Sequence, residues 1–409
     1  MKKLPLFLLF LLSAVLLAGC AREEPLPTEP QSGIFFYDED SRPLTGWQDR
    51  DGKRYYLGSD GQALTGLREI EGETYLFRAD GTMATGWTME SGKTYYLRSN
   101  GSLVTGWFSY DGQRYYLTRD GAAAGIQEIE GKPYVFDGTG KLTSGWAFFG
   151  DSTAYGDENC HPLTGWQEIE GKRYHFNEEG ILSAGWITLG SFDYYFLADG
   201  SPAQGKVTID GVKHWFASNG QELPFVNPWN QVPEDYTVEL KSIGGDHEIA
   251  AIAYEDYRDM IDACRAAGMH PAVCSSYRTL EYQEDLYQNR IERYLEEGYS
   301  EEDAIRLAGN SVAVPGTSEH QLGLALDIVD NRNWRLDESQ AEMPTQKWLM
   351  ENSWRYGWIL RYPNEKSAIT GIIYEPWHYR YVGKEIAKEI YELDMCLEEY
   401  LMMLTPGVG

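Results

Sequence analysis

From residue 33 to about residue 222 the apolar positions come in short bursts separated by turns. A glycine followed by a large side chain recurs at Gly46-Trp47, Gly66-Leu67, Gly86-Trp87, Gly106-Trp107, Gly125-Ile126, Gly145-Trp146, Gly165-Trp166, Gly185-Trp186 and Gly205-Lys206, a period of 20 residues with one step of 19. Between marks lie a turn such as Asp51-Gly52, an aromatic pair such as Tyr55-Tyr56 and a second turn such as Asp60-Gly61. Asp-Gly flanked by short aromatic runs predicts a tight hairpin, because glycine accepts the positive φ such turns require. One hairpin is too small to bury its own face, so the pattern predicts a solenoid of stacked units.

The pattern changes at Pro224-Phe225-Val226-Asn227-Pro228-Trp229, after which the Gly-Trp mark stops and helical spacing takes over. Apolar residues suit an amphipathic helix over 254–267 and one or two more over 281–307, interrupted near Gly298. Ile386, Ile390, Leu393, Leu397 and Leu401 predict one packed final helix over 384–403. Strand-like runs sit at 271–274, 324–329 and 372–375. Helices around a small sheet read as α+β. The expected architecture is multidomain: a β-hairpin solenoid of 20-residue repeats over 33–222, then an α+β domain over 223–409.

The amino end predicts a targeting segment. Lys2 and Lys3 precede an apolar run and a small-residue site, the pattern of a secretory signal over 1–19. Leu17-Ala18-Gly19-Cys20 resembles the lipobox of bacterial lipoproteins, which implies a lipidated Cys20 and anchoring to the outer face of the cytoplasmic membrane by lipid alone. Residues 20–32, rich in proline and glutamate, read as a flexible tether. A formal charge of −28 argues against a nucleic-acid partner, which needs a basic face, and 42% hydrophobic residues argue against disorder. The cysteines other than Cys20 (Cys160, Cys264, Cys274 and Cys396) show no C-x-x-C spacing, so a thiolate metal site or redox pair is not expected. A Cys264–Cys274 disulfide and isolated thiols both stay open.

Of the seven histidines, two stand in informative strings: Ser318-Glu319-His320-Gln321-Leu322-Gly323-Leu324-Ala325-Leu326-Asp327 and Glu375-Pro376-Trp377-His378-Tyr379-Arg380-Tyr381-Val382-Gly383. Two imidazoles and a carboxylate make a three-ligand zinc set that leaves a fourth position open for catalysis. The stretch from His320 to Asp327 fits a short turn, with Gly323 permitting it, leading into a strand. Glu375, three residues before His378, can stand beside a metal without ligating it and take a proton from water. His247 beside Asp246 reads as a polar loop, and His161, His175 and His214 as repeat-surface residues. Cys274 near Arg278 lacks separate partners for a cysteine peptidase, and H-E-x-x-H is absent. The bare spacing leaves structural histidines open.

The full strings go further. Together with Ser275-Ser276-Tyr277-Arg278-Thr279, Gln283 and Tyr356-Gly357-Trp358-Ile359-Leu360-Arg361-Tyr362-Pro363, they resemble the VanY-type D-alanyl-D-alanine carboxypeptidases and their LD-carboxypeptidase relatives. The resemblance spans about residues 225–403. It implies zinc held by His320, Asp327 and His378, with Glu375 as general base. Arg278 would stabilise the oxyanion or the substrate carboxylate, and Ser318 and Gln283 would line the peptide. Ser276 departs from the glycine many relatives carry, for which a small backbone adjustment is expected. The implied activity is removal of a terminal D-alanine from peptidoglycan stem peptides. An LD-carboxypeptidase acting on tetrapeptides shares the motifs, and an inactive wall-binding scaffold is the reading from another class.

The repeats resemble the cell-wall-binding modules of Gram-positive surface proteins, which include choline- and glucan-binding forms. Choline-binding forms usually carry Trp-Tyr-Tyr and cage a quaternary ammonium by cation–π attraction. Here the pair follows arginine or threonine, as in Arg54-Tyr55-Tyr56 and Thr94-Tyr95-Tyr96. The expected ligand is therefore wall glycan or teichoic acid, with a pure spacer as the alternative.

Overall fold

A computed structural model describes residues 33–234 and 236–405. The signal segment, Cys20 and the tether fall outside the described residues. Two compact units divide the chain: residues up to 127 with 136–143, and residues 128–135 with 144–409.

The first unit holds four hairpins, Gly46–Arg50 with Lys53–Leu57, Gly66–Ile70 with Glu73–Phe77, Gly86–Glu90 with Lys93–Leu97, and Gly106–Tyr110 with Gln113–Thr118. The reason is visible in the first turn, where Asp51 (φ 54°) and Gly52 (φ 72°) are both left-handed, as a two-residue turn matched to strand twist demands. Asp60 Oδ1 then accepts from the amide of Gln62 at 3.0 Å to form the second turn. Residues at or next to the end of each second strand are buried, Leu57, Phe77, Leu97 and Leu117 all at 2% exposure or less. Neighbouring hairpins supply the cover: Trp47 packs edge-on against Tyr75 of the next hairpin at 4.9 Å.

A fifth hairpin, Gly125–Ile129 with Lys132–Phe136, follows in the chain, and the second unit continues the series with the sixth to ninth, Gly145–Phe149/Ser152–Gly156, Gly165–Ile169/Lys172–Phe176, Gly185–Leu189/Phe192–Phe196 and Gly205–Ile209/Val212–Phe216. The histidines expected on the repeat surface are half-buried instead. His175 packs on Trp166 and bonds Ser183 Oγ at 2.7 Å, and His214 packs on Trp186 and meets Glu222 at 2.7 Å. His161 lies on Tyr134, its Nδ1 2.6 Å from the Pro133 carbonyl. His175 and His214 stand at aromatic positions of the repeat and are drawn into the same packing as the rings they replace.

The same unit contains the α+β domain. A four-stranded antiparallel sheet runs in the order Pro271–Ser275, Ala325–Asp330, His378–Tyr381, Trp358–Leu360. A hairpin of Leu240–Gly244 and His247–Ala250 precedes it. Helices α1 (Tyr254–Ala266), α2 (Leu280–Glu296), α3 (Glu301–Ser311), α4 (Pro344–Asn352), α5 (Ser367–Thr370), α6 (Lys384–Leu393) and α7 (Leu397–Met403) surround the sheet. Thr279 and Ser300 cap α2 and α3 with side-chain oxygens, which fixes the break expected near Gly298.

Two elements differ from expectation. The predicted final helix is two, because Asp394 turns left-handed (φ 53°) and Cys396 with Glu399 caps a new start. Residues 372–375 form no strand. Gly371 (φ 76°) turns the chain, Ile373 is exposed, and the partner strands are Trp358–Leu360 and His378–Tyr381. His247 begins a strand and is no loop residue, its Nδ1 3.0 Å from Ser276 Oγ. Cys264, Cys274 and Cys396 are free thiols, so the disulfide does not form.

Ala217, Leu223 and Phe225, at and beyond the end of the ninth hairpin, share one apolar cluster with Ile359, Ile386, Ile390, Leu397 and Leu401. Ser218 Oγ also donates to the Glu389 carboxylate at 2.7 Å.

Candidate metal centre

His320 lies on a 3-10 turn, Glu319–Leu322, closed by Gly323 in the left-handed region at φ 70°. A Cβ at Gly323 would also approach the amide nitrogen of Ala250 to 3.1 Å, so this turn needs glycine twice over. Six residues of fully buried strand then follow, Ala325–Asp330. Asp327 and His378 stand opposite one another in the antiparallel register, which places their side chains on one face. Sequence spacing could not give this pairing, since 51 residues of chain separate the two.

Each imidazole turns one nitrogen toward the cluster. His320 Nδ1 lies 2.8 Å from the Ser276 carbonyl, which only accepts, so that nitrogen carries the proton and Nε2 keeps its lone pair. Nε2 faces Asp327 Oδ2 at 3.4 Å, and His378 Nδ1 faces Asp327 Oδ1 at 3.1 Å. One ligand atom from each of the three residues lies within 4.8 Å of the others, and all three residues are buried. Asp327 Oδ1 nevertheless has no hydrogen-bond partner. Buried polar atoms are rarely left so, and the convergent lone pairs fit a divalent cation with nitrogen and oxygen ligands.

The charges agree. Burial works against ionisation of Asp327, but His320 and His378 hold its carboxyl well below the usual range. Burial, with Arg278 assisting, pushes His320 down to about 4, keeping it neutral and able to ligate. His378 is raised to about 9: burial opposes the charge, and Asp327 and Glu319 outweigh it. Glu375 lies beside the cluster, Oε2 3.6 Å from His378 Nδ1, and burial pushes its carboxyl up to about 8. A carboxyl raised into the neutral range is suited to accept and return a proton.

Arg278 is braced from three sides. Nε and Nη2 donate to Ser275 Oγ at 2.9 and 2.8 Å, Nη1 to Gln283 Oε1 at 3.2 Å, and Nη2 to Asp327 Oδ2 at 3.1 Å. Gln283 is fully buried, and its Nε2 donates to the Ala313 carbonyl at 2.7 Å, so both ends of the amide are engaged and it braces Arg278. Ser318 is 3% exposed and precedes the turn without a capping bond from its side chain. Ser276 uses its hydroxyl to accept from the Glu248 amide at 3.3 Å while its carbonyl orients His320. Burial pushes the Cys274 thiol to about 12, which disqualifies it as a nucleophile.

Sequence reasoning assigned nothing to a buried group behind His378. Glu319 Oε1 accepts from Arg361 Nε at 2.8 Å and Arg380 Nη1 at 2.7 Å, and Arg361 makes a two-pronged pair with Glu398 at 2.7 Å. Burial opposes the Glu319 charge, yet the two guanidinium groups hold its carboxyl well below the usual range. The Tyr362 ring lies 4.8 Å from that of His378. An acid directly before a candidate ligand and arginines within both motif strings were the available signals, but only the fold pairs them.

Two imidazoles and a carboxylate with a second, neutral-range carboxyl beside them define the donor set of a metal-dependent hydrolase. Comparison with known proteins narrows the class. The family model described as D-alanyl-D-alanine carboxypeptidase, VanY, matches residues 246–384. Models for choline-binding and putative cell wall binding repeats match 64–100 and 45–63, 105–123 and 164–182. The chain is 35% identical over 147 residues to the bifunctional D-Ala-D-Ala dipeptidase and D-Ala-D-Ala carboxypeptidase VanXYC of Enterococcus gallinarum, covering 33% of this chain and 70% of that one. It is 45% identical over 180 residues to a D-alanyl-D-alanine carboxypeptidase of Enterococcus faecalis, covering 44% of this chain and 65% of the relative. A solved structure of VanYB in complex with D-alanine-D-alanine is 45% identical, with a TM-score of 0.40 over 43% of this chain and 94% of that chain. This chain belongs to the VanY family of D-alanyl-D-alanine carboxypeptidases, and its amino-terminal hairpins are cell-wall-binding-type repeats. It spans 65%, 51% and 42% of the length of three curated relatives it matches.

Proposed function

We propose that the protein is a zinc carboxypeptidase that removes the terminal D-alanine from peptidoglycan stem peptides. The observation that carries this is the convergence of His320, Asp327 and His378 within 4.8 Å, with the Glu375 carboxylate 3.6 Å from one of them. Zinc held by those three residues would supply Lewis acidity, polarising a carbonyl oxygen and acidifying water toward a pKa of ~7.

The chain's own groups do the rest. Glu375 accepts a proton from water as oxygen bonds to the scissile carbon, then delivers it to the amine of D-alanine as the C–N bond breaks. Arg278, fixed by Ser275 and Gln283, offers guanidinium protons to the anionic oxygen or to the substrate's terminal carboxylate. Its bond to Asp327 also keeps that carboxylate in place.

The repeats hold the enzyme at the wall by contact with glycan or teichoic acid. Arg54 lies over the Trp47 ring at 4.5 Å, Arg114 over Trp107 at 4.4 Å and Arg173 over Trp166 at 4.1 Å, so a built-in cation takes the ring face a quaternary ammonium would need. Lipid on Cys20 tethers the chain to the outer face of the membrane. Mass spectrometry of muropeptides after incubation with zinc-loaded protein tests the assignment. Conversion of pentapeptide to tetrapeptide stems supports it, conversion of tetrapeptide to tripeptide moves it to LD-carboxypeptidase, and no conversion leaves only the scaffold.

A further inference from the structure

The buried carboxylate of Glu319 divides its work between its two oxygens. Oε1 takes both arginines, Arg361 and Arg380, at 2.8 and 2.7 Å. Oε2 takes neither. It is buried without any hydrogen-bond partner, and so is His378 Nε2. The two unpartnered atoms face each other at 3.6 Å, about 0.4 Å beyond a normal N–H···O bond. A mere counter-ion for two guanidinium groups would share both oxygens between them. Here the arginines turn the carboxylate so that its second oxygen is presented to one imidazole.

The geometry points to Glu319 as the positioning residue that sets the tautomer of His378. Its Oε2 accepts the Nε2 proton, leaving the Nδ1 lone pair on the side of Asp327 and Glu375, 3.1 and 3.6 Å away. Arg361 and Arg380 orient the acceptor, and Glu398 on α7 orients Arg361 in turn. The inference rests on the reading that His378 is a zinc ligand.

Glu319→Gln tests it sharply. The arginines have only donors, so the amide oxygen goes to them and the NH2 is left facing His378 Nε2. A donor there favours the other tautomer, with its proton on Nδ1. In the full chain, zinc affinity measured by competition with a chromophoric chelator should fall about 10–100-fold for Glu319→Gln. A second measurement needs no variant: long-range nitrogen–proton spectra of histidine-labelled, zinc-loaded wild type should place the remaining His378 proton on Nε2. Unchanged zinc affinity in Glu319→Gln, or a His378 proton on Nδ1 in the loaded wild type, overturns the inference. A wild type that binds no zinc overturns the metal-site reading itself, so the two failures are distinguishable.

Discussion

Gln283 Oε1 accepts from Arg278 Nη1 at 3.2 Å from a fully buried position, so the amide braces the arginine. Replacing Gln283 with leucine keeps the volume and removes both the acceptor and the donor to Ala313. Arg278 retains Ser275 and Asp327. We expect kcat/KM on a D-alanyl-D-alanine peptide to fall about tenfold, the scale of one hydrogen bond to a charged group, and less than in Arg278→Ala. A Gln283→Leu loss as large as that of Arg278→Ala would mean the amide itself meets the substrate.

Removing His378 and removing Glu375 should have opposite consequences for zinc and equal ones for activity. His378→Ala deletes a ligand, and metal content after dialysis should collapse. Glu375→Ala should keep stoichiometric zinc and lose turnover by ~10²–10⁴-fold, the range for positioned proton transfer. Near-wild-type release of D-alanine from Glu375→Ala would assign the base elsewhere.

The metal-free protein should carry a pH signature of Glu375. Its carboxyl is raised by burial from 4.5 to about 8, so the folded state holds the proton more tightly than the unfolded one. The associated stability is present in full below pH 4.5 and is lost as pH rises through about 8. Glu375→Gln cannot ionise. In zinc-free samples the Tm of wild type should therefore drop relative to Glu375→Gln between these limits, and a pH-independent gap would contradict the buried carboxyl.

Much of this was legible in the sequence because the signals were local. The Asp51-Gly52 turn, the 20-residue period and the break near Gly298 between α2 and α3 depend on a few neighbouring residues. The turn from His320 through Gly323 into the strand bearing Asp327 was equally local. What escaped was non-local. The Ile372-Ile373 pair looks like a strand, yet the sheet pairs Trp358–Leu360 with His378–Tyr381 instead, since β preference follows packing context. The partners of Glu319, Arg361 and Arg380, lie 42 and 61 residues away along the chain, and only the fold joins them.

The ninth hairpin should be part of the catalytic domain's stability. Ala217 joins the cluster of Ile386, Ile390 and Leu401, and Ser218 bonds both Glu389 and, through its amide, the Tyr400 hydroxyl at 3.2 Å. A chain starting at residue 223 loses these contacts, while one starting at residue 183 keeps the eighth and ninth hairpins. The shorter chain should melt several degrees lower, since burying one small apolar group and two hydrogen bonds contributes ~2–4 kcal/mol. Equal melting temperatures would make the ninth hairpin an independent module.

The repeats should retain the enzyme on cell walls without depending on choline. A quaternary ammonium approaching Trp47, Trp107 or Trp166 must displace a guanidinium already seated at 4.1–4.5 Å. Each cation–π contact is worth ~0.5–2 kcal/mol, so the exchange gains little and choline affinity at these rings should be weak. Retention can still be strong, because weak sites on successive hairpins act together and linkage raises the effective concentration of each after the first has bound. The protein lacking its signal and lipid should sediment with purified walls, and millimolar choline should leave it there. The chain starting at residue 183, with two hairpins, should remain largely in the supernatant. Substituting threonine for Arg54, Arg114 and Arg173 together opens those three ring faces, and that variant should gain choline affinity. Elution of the unsubstituted protein by choline would show that the arginines yield their places readily, and equal sedimentation of the short chain would confine the wall contact to the last two hairpins and the catalytic domain.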